Sequence, residues 1–186
     1  MQTIRWEVHH PSPPPVIRYC KKCGEKKCYH SSGLFRVNAQ KKSLTIWLIY
    51  KCEVCDTTWN MTILSRVNPQ SMNPALLERY HANDNLLAMK SAMDVTLLRQ
   101  NGAEVGEAEY EVIGEGLPRE VVRLHILSDY SCSQRISAIL RGKLGLSQKR
   151  FLELVESVHI QSENGLDLKK AKLNREAVLV IDGACL

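Results

Sequence analysis

The 186-residue sequence predicts an α+β chain in three parts: a small antiparallel sheet organised by cysteines over residues 1–66, a helical and acidic middle over 67–120, and an α+β module over 121–186. Three observations carry this prediction. Two Cys-x-x-Cys pairs flank strand-like segments near the start of the chain. Apolar residues at rough helical spacing then accompany a run of acidic residues. A strand, two short helices and two further strands close the sequence.

The charge layout follows the same division. The formal net charge is +5, but residues 1–60 carry ten Lys/Arg against four Asp/Glu, residues 61–130 six against ten, and residues 131–186 nine against six. Basic ends around an acidic middle predict modules with different partners. At 44% hydrophobic residues the chain is globular rather than disordered. It has no apolar run long enough to span a bilayer, and "MQTIRWEVHHPSPPP" lacks the apolar stretch of a secretory leader. The expectation is a cytoplasmic protein with no membrane partner. In that compartment seven cysteines read as metal ligands or free thiols rather than as a disulfide framework.

The first part is built on Cys20-Lys21-Lys22-Cys23 and Cys52-Glu53-Val54-Cys55. Two residues between thiols let both sulfurs of a pair reach one ion from a single tight turn. Two such turns supply four thiolates and close a tetrahedral coordination sphere. Gly24 stands where a left-handed backbone is needed to close the first turn. "LFRVNA" (34–39) and "SLTIWLIYKC" (43–52) are strand-like with "QKK" between them, and "TTWNMTIL" (57–64) is a third strand. This arrangement is a zinc ribbon holding one structural Zn2+ on Cys20, Cys23, Cys52 and Cys55. A closed four-sulfur site leaves no position for water, so it carries no catalysis. A redox reading of one pair needs a helix start after a strand, and the flanking residues give little helical signal. Cys28 and His30 are substitute ligands in principle, but they lack the paired spacing and are expected outside the coordination sphere. Cys132 and Cys185 read as ordinary thiols. Lys21, Lys22, Lys26, Lys27 and Lys51 surround the cysteines and offset the −2 charge of four thiolates around a dication. Trp47 and Trp59 are expected to form the ribbon's small core. Arg36, Lys41 and Lys42, near the hairpin tip, are the secondary contact candidates.

In the middle part, Pro74 follows Asn73 at a first helical position, and Leu86, Leu87, Met93, Leu97 and Leu98 recur at helical spacing up to Asn101-Gly102. Asn83 or Asp84 is a cap. The expected helix packs between the two basic modules. "EVGEAEYEVIGEG" (104–116) reads as a solvated loop or an edge strand.

In the last part "VVRLHIL" (121–127) is a buried strand. Ser131 or Ser133 caps a helix with Ile136, Ile139 and Leu140 inward, and Ser147 caps a second with Phe151, Leu152, Val155 and Val158 inward. "VHIQS" and "AVLVID" are strands. Arg135, Arg141, Lys143, Lys149 and Arg150 lie off the apolar faces, near the helix–helix corner.

The segments "RISAIL", "LGLSQKRFLELVES" and "VHIQSENG", within residues 122–182, resemble an S-four RNA-binding domain, a small α+β module named for a ribosomal protein. The resemblance implies that Arg135, Arg141, Lys143, Lys149 and Arg150 contact RNA backbone and shape. This sequence has Gln148 beside Lys149 and Arg150 at the second helix start, and "NREA" where that family has a Gly-Asp turn. The chain as a whole resembles an uncharacterised bacterial family classed as a domain of unknown function. The matching stretches are "CKKCG", "SSGLFRVNAQKKSLTIWLIYKCEVCDTTWN" and "HANDNLLAMKSAMD".

The expected function is therefore non-catalytic binding of structured RNA, ribosomal or transfer RNA, with the zinc ribbon as a second contact. A protein–protein adaptor using the ribbon hairpin is the alternative. An RNA-modifying enzyme is the third reading, although the sequence has no phosphate-binding glycine loop and no nucleophile elbow.

Overall fold

The computed structural model describes residues 1–40 and 43–186, with only the backbone at 132 and 133. In chain order the elements are β1 (Gln2–His9), β2 (Val16–Cys20), β3 (Glu25–Gln40), β4 (Ser43–Cys52), β5 (Thr58–Val67), α1 (Pro74–His81), α2 (Asn85–Ala92), α3 (Val95–Gln100), β6 (Glu104–Val105), β7 (Glu111–Ile113), β8 (Val121–Arg135), α4 (Ile136–Leu144), α5 (Gln148–Glu156), β9 (Ile160–Ser162) and β10 (Lys172–Asp182). The chain is mostly β, with 45% strand and 25% helix. It forms two compact units, residues 12–109 and residues 1–11 with 110–186.

This corrects the expected α+β fold class, with its zinc ribbon, separate helical middle and S-four-like α+β module. Each unit is instead a five-stranded sheet with helices added to it. The two units divide at 11/12 and 109/110.

Unit 12–109 is an antiparallel sheet in the order β5-β4-β3-β2-β6. Strict alternation along β4 puts Leu44, Ile46, Leu48, Tyr50 and Cys52 on the buried face. The middle helices cover this face rather than forming a separate segment, because Tyr80, Leu87, Ala88, Ala92 and Leu98 belong to the same core as β4. Their caps explain why there are three short helices and not one. Asn73, Asp84 and Asp94 each accept a backbone N–H of the following turn and restart the helix. Leu86, expected inward, is 72% exposed.

Two asparagines fasten these helices to the sheet. The register of β3 on β4 slips between Ser31 and Phe35, and Asn83 Oδ1 accepts the N–H of Phe35 at 2.7 Å. On the outer strand β5, Asn101 accepts from Thr62 N–H at 2.8 Å and donates to Thr62 C=O at 3.0 Å, so a side chain takes the place of a further strand. Trp47 and Trp59 are not the fully buried core. Both are half-exposed, with the Arg36 guanidinium 5.8 Å from the Trp47 ring and that of Arg18 4.2 Å from the Trp59 ring.

Unit 1–11/110–186 is a mixed sheet in the order β7-β1-β8-β10-β9. β1 runs parallel to β8, from Gln2 opposite Val122 to Val8 opposite Ser128. Its alternation buries Ile4, Trp6 and Val8, and Trp6 Nε1 donates to Glu115 C=O at 2.8 Å. Ile136, Ile139 and Leu140 of α4 and Phe151 and Leu154 of α5 are buried against Val122, Leu124, Ile126, Leu179 and Ile181. Each fully buried aliphatic or aromatic side chain of this kind contributes about 1.5–3 kcal/mol.

Ser147 caps α5 as expected, accepting the N–H of Arg150. No serine caps α4. β8 runs directly into it, Arg135 holds the cap position with no side-chain bond, and Ser131 donates to Asn174 instead. Ser133 lies outside the described side chains. Val158, expected inward, is 56% exposed and takes φ +65°, closing α5 in the left-handed conformation usually supplied by glycine. Among the described residues, no helix is long and apolar enough to cross a membrane.

Candidate metal centre and basic corner

Both cysteine pairs fold as the same tight turn. Gly24 N–H donates to Cys20 C=O at 2.9 Å, and Asp56 N–H donates to Cys52 C=O at 3.0 Å. The closing residues are both left-handed, Gly24 at φ +76° and Asp56 at φ +57°. Aspartate is one of the few side chains that tolerates this region, so a non-glycine closes the second turn. The β3–β4 pairing places the turns side by side. Tyr29, next after Cys28 on β3, stands opposite Cys52, and Glu53 N–H donates to Cys28 C=O at 3.0 Å.

The four sulfurs of Cys20, Cys23, Cys52 and Cys55 lie within 4.8 Å of one another and can hold a metal ion. Cys20 Sγ is 3.4 Å from Cys55 Sγ, and Cys23 Sγ is 4.0 Å from Cys52 Sγ. A tetrahedron with metal–sulfur bonds of about 2.3 Å has edges of about 3.8 Å. The observed contacts bracket that edge. Cys20 and Cys52 are buried, Cys23 and Cys55 partly so.

The electrostatics also fit a cation. The Tyr29 hydroxyl hydrogen-bonded to Cys20 draws that thiol down to about 5, against the effect of burial. Cys23 is pushed up to about 12 by its hydrogen bond with Cys55, by burial and by the Cys20 thiolate. Cys55 is lowered by Thr57, whose Oγ1 lies 3.1 Å from its sulfur. Burial and the same bond to Cys20 raise Tyr29. Four adjacent thiolates would repel one another without a cation, and a dication would offset that charge.

Cys28 and His30 stand outside the four-sulfur cluster. Cys28 is half-buried on β3 opposite Ile17, and His30 is exposed, 3.7 Å from Glu53. Two nearby lysines pair with carboxylates: Lys26 with Glu104, and Lys27 with Glu25 at 2.8 Å.

The basic candidates are divided by the structure. Arg141 and Lys143 end α4, and Lys149 and Arg150 begin α5, so these four flank one turn. Arg135 sits at the opposite end of α4, about 14 Å away along a nine-residue helix. Arg150 is occupied, donating to Cys185 C=O and lying 3.5 Å from Glu153. Lys143 donates to Val112 C=O at 3.1 Å. Arg141 buries its Nε with no hydrogen-bond partner among the described residues. Arg135 and Lys149 are exposed and enter no ion pair among the described residues. Arg36 is exposed on β3, while Lys41 and Lys42 lie outside the described residues.

The fold and these sites define a two-unit, mostly β protein with a four-cysteine cluster able to hold a metal ion. The family model described as "Protein of unknown function (DUF1062)" matches residues 37–165, more than half of the chain, and the chain belongs to that family. The matched span begins after the first cysteine pair and includes the second pair and both helices of unit 1–11/110–186. No curated protein and no solved structure matches the chain.

Proposed function

We propose that the chain is a non-catalytic protein whose unit 12–109 is stapled by one structural zinc ion and whose α4–α5 corner binds structured RNA. The observation that carries the zinc reading is the convergence of four sulfurs within 4.8 Å of one another at the end of the sheet. A four-sulfur tetrahedron selects zinc or iron among common metals, and a closed set gives the ion a structural role. Metal analysis of the purified protein tests it. About one zinc per four-sulfur site is expected, lost in Cys20→Ser or Cys52→Ser. Wild-type protein with no thiol-bound metal overturns it.

RNA binding is supported by four basic side chains flanking one turn, with Lys149 exposed and in no ion pair among the described residues. Lysine and arginine there would displace counterions from phosphates, making affinity fall steeply with salt. Fluorescence anisotropy with folded transfer RNA as probe tests this. The double variant Lys143→Glu/Lys149→Glu should weaken binding more than about tenfold. Unchanged affinity, or an affinity indifferent to salt, overturns the RNA reading.

A further inference from the structure

A second group of metal-ligating side chains lies in unit 1–11/110–186. His159 follows α5, Asp182 ends β10, and Cys185 belongs to the turn after it. Their donor atoms, one nitrogen, one oxygen and one sulfur, all lie within 4.8 Å of one another. His159 Nδ1 is 3.3 Å from Asp182 Oδ2, and Cys185 Sγ is 3.3 Å from the same oxygen. In a tetrahedral site with ordinary bond lengths the N···O edge is about 3.4 Å and the S···O edge about 3.6 Å. Both contacts are close to those values.

We propose that His159, Asp182 and Cys185 form a second metal site, which takes one divalent transition-metal ion of the zinc class on three protein donors and leaves its fourth position open. The chemistry of the donor set balances. One thiolate and one carboxylate neutralise a dication, and a neutral imidazole completes the three. On binding, the Cys185 thiol proton goes to solvent, and the His159 imidazole carries its remaining proton on Nε2, so that Nδ1 presents a lone pair.

The surroundings hold these donors in place. Asp182 Oδ1 accepts the N–H of Ala184 at 3.1 Å, which fixes the carboxylate and leaves Oδ2 facing the other two donors. Asp182 N–H donates to His159 C=O at 2.9 Å, so the backbones of two ligands are tied directly. The turn after Asp182 lies against residues 118–120. A Cβ on Gly183 would sit 1.9 Å from Pro118 C=O, and Gly183 N–H donates to Glu120 C=O at 3.0 Å. The segment before His159 is strained: Val158, a β-branched residue, holds φ +65° immediately ahead of the ligand. Side-chain exposures of 37% for His159 and 29% for Asp182 leave a route for an ion. Arg150, donating to Cys185 C=O, anchors the turn from α5.

The open position separates this site from the four-sulfur cluster. A three-donor site keeps room for water or a small anion, as metal sites that react or exchange ligands do. Chain distance hides the site in the sequence, where His159 and Cys185 fall in different elements and neither has a paired neighbour.

The test is titration of metal-free, reduced full-length protein with cobalt(II) alone, followed by its visible and thiolate charge-transfer absorption. Wild-type protein should take two equivalents per chain. His159→Ala, Cys185→Ser and Cys185→Ala should each take one, with the four-sulfur spectrum intact and affinity for the second equivalent reduced more than about tenfold. Slow amide exchange retained in unit 1–11/110–186, read by peptide-resolved hydrogen exchange, shows that each variant is folded where it is substituted. Saturation of the wild type at one four-sulfur equivalent, or a second equivalent unaffected by all three variants, overturns the proposal.

Discussion

The two units are both five-stranded sheets with helices against them, yet they close their cores differently. Unit 1–11/110–186 brings β1 from the start of the chain into its sheet between β7 and β8 and packs Trp6, Phe151 and a continuous set of Ile, Leu and Val between sheet and helices. Unit 12–109 has its apolar core under β4, but that core runs into cysteines at one end of the sheet, where Cys20 and Cys52 are its last buried members. Apolar side chains hold one unit throughout. In the other, the end of the sheet carries four converging sulfurs that a cation would join.

This contrast makes the largest expected effect a selective one. Removing metal with a chelator, or the substitution Cys52→Ser, should unfold unit 12–109 while unit 1–11/110–186 keeps its slow amide exchange. Structural zinc in small domains supplies about 10–16 kcal/mol of apparent binding free energy, enough to decide whether such a unit folds. Hydrogen exchange resolved by peptide reads the two units separately.

The converse experiment is Phe151→Ala. Phe151 is fully buried in unit 1–11/110–186, and its loss should cost that unit about 3–5 kcal/mol while leaving the metal content of unit 12–109 unchanged. Denaturant melts with metal analysis check both halves of the statement. Gly183→Ala should destabilise the same unit by about 1–3 kcal/mol, because its Cβ has backbone in the way. Val158→Gly should instead stabilise it by about 1 kcal/mol, by relieving the left-handed strain at a residue that is mostly exposed.

The smallest effect concerns pH and falls in unit 12–109. Asp84 accepts from Arg79 and caps α2 through Leu87 N–H, and those two bonds hold its carboxyl down at about 2. A lowered folded-state value means the stabilisation is present above the ordinary value of 3.8 and is lost as pH falls from about 4 to about 2. Asp84→Asn should flatten that part of the acid melt of metal-loaded protein and leave neutral-pH folding in place.

The sequence was legible where the signal was local. The cysteine spacing, the alternation of Leu44, Ile46, Leu48 and Tyr50, the Pro74 start of α1 and the Ser147 cap all depend on residues within a few positions of each other. Pairing between distant segments was not legible. "QTIRWEVH" alternates as a strand should, but its partner β8 lies more than a hundred residues away, with unit 12–109 between them. The helices of residues 74–100 carry a readable apolar pattern, yet nothing local says that β3 and β4 are what they cover. Trp47 and Trp59 are the large rings of a small sheet, which predicts core positions for both. They instead occupy half-exposed positions beside arginines, while smaller residues fill the interior. The grouping of His159, Asp182 and Cys185 is the same kind of case, since it exists only once β10 returns beside β9.

The central claim is that both cysteine pairs bind a single ion. X-ray absorption of zinc-loaded Cys185→Ser protein tests it most directly, because that variant leaves the four-sulfur cluster as the only thiolate site proposed here. The account predicts one zinc per chain with four sulfur neighbours at about 2.3 Å. A shell containing nitrogen or oxygen in place of one or more of those sulfurs, or protein that binds no zinc, would contradict it.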